Sequence, residues 1–334
     1  MKKTLLITTV LFLLITAFWR CNNELDVTSD WKEVPVLYGL LNPGDSIHII
    51  KVSKAFLGDG DATLMALNPD SSQYGDELKV SLTEIDPQGW YNATWVFDTM
   101  WIHDKQPGTF YSGDQKLYRV KAPLNPVCKY LVRIENTKTG MSAYAETALV
   151  GPISILKPRG GLKYFSFTSN ADIQTEVAEA ANGKVYQMVI RFNFAEVNLT
   201  SGDTTYRYVD WVFPNKKITS ITGNGSEKIS WSFTGTSFYT NIKAKVKVDP
   251  DVKRIPGMVD FMAYAGGDEL NTYIDITTPI NTIVTDRPDF TNVTNGRGLL
   301  SSRTSKVHSV ELNVPSMDSL VNGSKTYNLG FVFP

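Results

Sequence analysis

Alternation dominates this chain. The runs "VPVLYGLL", "DSIHIIKVSKAF", "ELKVSLTEID", "TWVFDTMW", "QKLYRVKA" and "KYLVRIENTKTGMSAYAETALV" switch between apolar and polar residues at every second position. Successive side chains of a strand point to opposite faces, so this period reads as strands with one buried face. Gly, Pro, Asn and Asp separate the runs and mark turns between them. The last run carries its own hairpin, with "NTKTG" as the loop. About six or seven strands between Val34 and Val150 match what an immunoglobulin-like sandwich requires.

"VGPISILKPRGG" then reads as a linker that becomes the first strand of a second unit. That unit continues through "LKYFSFTS", "KVYQMVIRFNFAEVN", "TTYRYVDWVFP", "EKISWSFT", "GMVDFMAYA" and "LNTYIDITT". The pattern predicts a mainly β protein with two β-sandwich-like domains in series. Residues 33–150 are expected to be immunoglobulin-like, and residues 151–334 fibronectin-III-like or related, with at most one or two short helices.

Two segments fit both periods. "ADIQTEVAEAANG" has the Ala and Glu content of a helix, yet ends in Asn182-Gly183, a strong hairpin signal before a long strand. A hairpin needs strands on both sides of its turn, so 172–182 is read as a strand. In "SFYTNIKAKVKVD", Phe238, Ile242 and Val246 share a helical face, whereas Ile242, Ala244, Val246 and Val248 share a strand face. The reading is a short helix that frays into a strand.

The N-terminus has a different character. Lys2 and Lys3 precede an apolar run from Leu5 to Trp19. As a helix that run spans roughly 22 Å, short of the ~30 Å of a hydrocarbon core, which is signal-peptide length. It ends at Cys21, and the polar stretch "NNELDVTSD" follows. Residues 1–20 therefore read as a signal peptide, Cys21 as a lipidated first residue and 21–32 as a tether. Phe18, Trp19 and Arg20 break the small-residue rule before such a cysteine, and an uncleaved anchor is the competing reading. Both put the bulk of the chain outside the cytoplasm.

The chain has two cysteines, so a lipid on Cys21 leaves Cys128 without a disulfide partner. Cys128 shares a strand face with Tyr130, Val132 and Ile134, which predicts a buried, inert thiol. A formal net charge of −1 provides no field to draw in nucleic acid.

Chemistry is sparse. His48, His103 and His308 lie far apart, and there is no Gly-x-Ser-x-Gly elbow, Walker loop or His-Glu-x-x-His pair. No enzyme and no cofactor is predicted. His48, between Ile47 and Ile49, is expected on a polar strand face. Asp59 and Asp61, in a Gly-containing acidic loop, are weak calcium candidates; the spacing is not an EF-hand, so a solvated loop is the expectation and no metal site is predicted. The lysines of "IKAKVKVDPDVKR" suit an edge strand, where they discourage sheet-to-sheet pairing.

The tryptophans are the ligand-binding candidates. An unbroken strand through "GWYNATWVFDTMWIH" puts Trp95, Phe97, Thr99 and Trp101 on one face, where indoles fill the seam between sheets. Trp90, beside Gly89, sits at a turn and is the expected exposed member; exposed indoles stack on sugar rings.

"VPVLYGLLNPGDSIHIIKVSKAFLGDGDA", "VIRFNFAEVN", "YVDWVFP" and "FTNVTNGRGLLSSR" together resemble a family of uncharacterised Bacteroidota lipoproteins. The likeness runs from about Trp31 to Arg303, and its most specific element is Asn295, Gly296, Arg297 and Gly298. The resemblance implies an N-terminal immunoglobulin-like domain before a second β domain, and a lipid-anchored outer-membrane location. More weakly, it implies partnership with a TonB-dependent receptor or another envelope protein. It implies no catalytic residues. Arg297 is the one residue of this stretch suited to a ligand; Asn295 and Gly296 are expected in a tight positive-φ turn, and Gly298 where a neighbouring backbone comes close.

Overall fold

The computed structural model describes residues 33–334 apart from 56–63, 65, 104–110, 169, 171, 219–226 and 279–288. Cys21, Asp59 and Asp61 lie outside the described residues. The fold is mainly β, a set of packed sheets as the alternation predicts.

Its spine is a ten-stranded sheet. From one edge the order is β5 (Asp98–Ile102), β6 (Gln115–Lys121), β2 (Ile47–Ala55), β1 (Val34–Leu41), β17 (Arg297–Leu312), β16 (Val252–Gly266), β12 (Val185–Asn198) and β13 (Thr204–Val212). Two short strands, β10 (Tyr164–Phe165) and β14 (Lys216–Lys217), attach beside this path. A four-stranded sheet, β4 (Tyr91–Val96), β3 (Leu78–Ile85), β7 (Lys129–Asn136) and β8 (Ser142–Ala148), faces its first half. A three-stranded sheet, β15 (Lys228–Phe233), β11 (Ile173–Ala178) and β9 (Ile155–Lys157), faces its second.

The two halves of the large sheet are joined through the long strand β17, whose residues 297–302 pair with β1 and residues 303–310 with β16. β1 and β17 pair in parallel, from Val36 beside Arg297 to Leu41 beside Ser302. β1 buries alternate residues and leaves Tyr38 44% exposed, whereas the start of β17 is covered on both faces. Accordingly, Gly298, Leu299, Leu300, Ser301 and Ser302 are all buried. Two hydrophobic cores flank this seam. The first is built from Leu37 to Leu149 but also takes Val293 and Leu300 from the far end of the chain. The second is largely aromatic, with Phe167 stacked on Phe238 at 4.0 Å between ring centres and Phe192 against Phe331 at 5.7 Å.

Helices are more numerous than the sequence led us to expect. Four short ones occur among the described residues: α1 (Pro69–Ser72), α2 (Gly235–Lys245), α3 (Asp268–Thr277) and α4 (Val314–Val321). α3 and α4 were obscured by their surroundings. "LNTYIDITT" passes for a strand by its β-branched residues, and α4 is only eight residues long.

The two ambiguous segments divide. Residues 173–178 form a strand, but Asn182-Gly183 does not close a hairpin. Asn182 has the positive φ of a turn, 58°, yet β11 pairs with β15 and β9 while β12 joins the large sheet. The turn carries the chain from one sheet to the other. Gly183 is required there because a Cβ would stand 2.4 Å from the Tyr186 hydroxyl.

In the second segment the helical face wins. Phe238, Tyr239 and Ile242 of α2 are buried in the aromatic core, and the Thr234 side chain accepts from the Ser237 amide as N-cap. Residues 246–251 form no strand, and Lys253 lies on the interior strand β16, so the lysines are not on an edge strand. Lys243 and Lys245 lie in the last helical turn, where cations favour the helix dipole, and Lys245 donates to the Asp210 carbonyl.

His48 also reverses its expected face. It is only 3% exposed, with Nε2 3.0 Å from the Ala122 carbonyl oxygen, while its neighbours Ile47 and Ile49 point to solvent. The backbone acceptor lets an imidazole fill a core position that would penalise it unpaired.

Candidate functional site

The tryptophan segment is not one strand. Its chain crosses from the four-stranded sheet to the ten-stranded sheet at Phe97, whose ring is buried in the first core. Trp95, on β4, packs half-buried against that core. Trp101, on the edge strand β5, is 52% exposed rather than in the seam, with the Lys116 ammonium 5.9 Å from its ring centre. The three tryptophans therefore do not share a site.

Trp90 stands at the tip of the β3–β4 connection and is 73% exposed. Asp86 builds this loop: its carboxylate accepts from the amides of Gln88 (2.9 Å) and Trp90 (2.8 Å), and its own amide donates to the Trp90 carbonyl (3.0 Å). Gly89 supplies the φ of 90° the turn demands. Tyr91 and Val127 are also exposed beside it. A groove of about 520 Å³ opens there, lined by Ile85, Tyr91, Val127, Lys129 and Glu146, with Cys128 at its wall. Burial and the nearby carboxylates of Glu84 and Asp86 push the Cys128 thiol up from its ordinary pKa, so the group rests as an unreactive thiol.

The Asn295–Gly298 stretch is structural. Asn295 takes the positive φ, 57°, and Gly296 does not; Gly298 does, at 104°. Asn292 pairs with the backbone of Leu300 through both ends of its amide, at 2.6 and 2.9 Å, and Thr294 bridges to Tyr144 of β8. These bonds pin the start of β17 to its neighbours. Arg297 points outward and is held by Asp289 at 2.9 Å. Among the described residues, no group of three or more His, Cys, Asp or Glu side chains could hold a metal ion.

A second surface was missed in the sequence. On β13, Thr204, Tyr206, Tyr208 and Asp210 alternate with Val209 and Trp211, which face the core. Tyr206 is 85% exposed and Tyr208 58%. The Arg191 guanidinium lies 3.9 Å from the Tyr208 ring centre. Its Nε and Nη2 bond both carboxylate oxygens of Asp210, at 2.7 and 2.8 Å, which pushes the guanidinium pKa higher still. Next to them Asn193 donates to the Met258 carbonyl (3.0 Å) and to Asp260 (2.8 Å), and Ser309 donates to Asp260 (2.6 Å). A register shift between Phe192 and Phe194 bends the strands at this point. It leaves a groove of about 370 Å³ between the two tyrosines and the Ile255–Gly257 segment. The alternation of "TTYRYVDWV" was legible. Which of its two aromatic faces meets solvent was not.

No protein-family model matches this sequence, and no curated protein matches it. Among solved structures, that of CBD12 from CALX1.2 aligns with 82% of this chain and 100% of its own length. The identity is 10% and the TM-score 0.16, a likeness too slight to carry an argument about fold or function. No helix among the described residues is long and apolar enough to cross a membrane.

Proposed function

We propose that this chain is a non-catalytic lipoprotein of the outer membrane that acts as an accessory partner of an outer-membrane receptor or another envelope complex. One observation carries the reading: Trp90 is 73% exposed at the tip of the β3–β4 loop, next in sequence to Tyr91, which with Val127 lines an open groove. Exposed Trp and Tyr beside a groove are the residues that most often dominate protein–protein affinity. A hydrogen-bonded loop that presents Trp90 in one place reduces the entropy lost on binding. The lipid on Cys21 and the polar tether up to Lys32 would hold this surface close to the membrane.

A photo-crosslinking amino acid at position 90, in cells fed labelled palmitate, tests both parts. The label should enter the wild type and be lost in Cys21→Ser. Irradiation should yield an adduct with a TonB-dependent receptor from position 90, and none from exposed Tyr327. No adduct from position 90 would remove the receptor reading, and no label in the wild type would remove the lipid anchor. A second reading, a glycan- or other ligand-binding module, is expected from the sequence at Trp90; the exposure of Tyr206 and Tyr208 favours it at another place.

A further inference from the structure

We infer that the groove beside Tyr206 and Tyr208 is a binding site for a neutral saccharide chain. This goes beyond the accessory role and does not depend on the Trp90 surface, which belongs to a different sheet.

The two rings alternate with Arg207 on one strand, so they stand on the same side of the sheet about 7 Å apart. Each offers an apolar face with a hydroxyl at its tip. A pyranose ring has the complementary build: a face of C–H bonds that stacks on an aromatic ring, and a rim of hydroxyls that both donate and accept. The rim finds its partners in the neighbouring polar row. Asn193 uses both amide hydrogens on Met258 and Asp260, which leaves its carbonyl oxygen to accept from a ligand. The Asp210 and Asp260 carboxylates keep unused lone pairs beyond the bonds they already make.

The site is also fixed in advance. Arg191 packs against Tyr208 and is itself held at two points by Asp210, so stacking a ligand orders little that is not already ordered. The bend at the register shift depends on Gly257, where a Cβ would lie 2.9 Å from the Asn193 carbonyl oxygen.

Charge selects the class of ligand. On the face of the two tyrosines, Arg191 is matched by Asp210, while Asp260 is served by neutral donors alone. The cation that touches the tyrosines, Arg191, is therefore already engaged and is not free for a phosphate or carboxylate.

Native affinity electrophoresis through gels containing xyloglucan, galactomannan or yeast mannan tests the proposal. The wild type should be retarded in at least one of them. Tyr206→Ala and Tyr208→Ala should each raise the dissociation constant about tenfold or more, and Tyr206→Phe should restore retardation. Trp90→Ala should migrate as wild type, which separates this site from the accessory role. Tyr206 is almost wholly exposed, so Tyr206→Ala keeps the test valid even if Tyr208→Ala fails to fold. The proposal is overturned if no gel retards the wild type, or if retardation survives Tyr206→Ala. Loss of the position-90 adduct in Tyr206→Ala, without any retardation of the wild type, would overturn it in favour of a protein-binding surface.

Discussion

A Cβ placed on Gly298 would stand 2.0 Å from the carbonyl oxygen of Leu37, its register partner across the β1–β17 seam. Backbone, not a side chain, fills that space, and Gly298 also has a φ of 104°. Neither obstacle can relax without separating the strands. Gly298→Ala should therefore cost about 3 kcal/mol or more and lower Tm by several degrees. Arg297→Ala, which loses only an exposed ion pair with Asp289, should stay within about 0.5 kcal/mol. Differential scanning calorimetry of the two variants checks the contrast; equal Tm values would refute it.

Gly296 yields a second, milder case. It lacks a positive φ, but a Cβ there would meet the Pro35 carbonyl oxygen and the Val293 side chain at 2.8 Å. Gly296→Val should destabilise by about 2 kcal/mol through crowding. A Gly296→Val variant that denatures in urea at the wild-type midpoint would contradict this.

Cys128 is buried in the first core among Tyr130, Val132 and Leu82. Native protein should resist iodoacetamide, and reactivity should appear only with unfolding. Cys128→Ala should cost about 1–2 kcal/mol, the scale of a small core truncation. Rapid alkylation of the folded protein, followed by mass spectrometry, would contradict the burial.

Asp76 should leave a mark on the acid stability profile. Its carboxylate accepts a hydrogen bond from the Lys116 ammonium at 2.8 Å, which holds its pKa below the usual carboxylate value. A lowered folded pKa means the unfolded chain takes up the proton first. The stabilisation is thus complete above the unfolded pKa of about 3.9 and disappears as pH falls through the folded value. The Tm difference between wild type and Asp76→Asn should be largest near neutrality and shrink toward zero as acid protonates the folded carboxylate. A difference that grows in acid would have the wrong sign.

Much of the fold class was legible because strand identity is a local property. Period two marked β1, β2, β3, β6, β7 and β8, and Phe238, Ile242 and Val246 marked the helical face of α2. What failed was long-range. An alternating strand has two faces, and only its partners decide which one is buried: His48 went in, and Trp101 went out. Asn182-Gly183 carried a correct local signal, since Asn182 does turn with positive φ, but no local signal says which sheet receives the next strand. The candidate site failed for the same reason. Tyr206 and Tyr208 become a surface only once β13 lies at the sheet edge beside Arg191 and the bend opposite Gly257.

The parallel seam between β1 and β17 has a temporal consequence. Made from the N-terminus onward, the chain produces β1 early, and its hydrogen-bonding edge must wait for a partner that is synthesised almost last. Until then the first core lacks Val293 and Leu300. Pairings this distant in sequence are slow to form, and a waiting edge invites the wrong neighbour. The first half cannot close into a finished unit until the last long strand has been made, and folding completes only when it arrives.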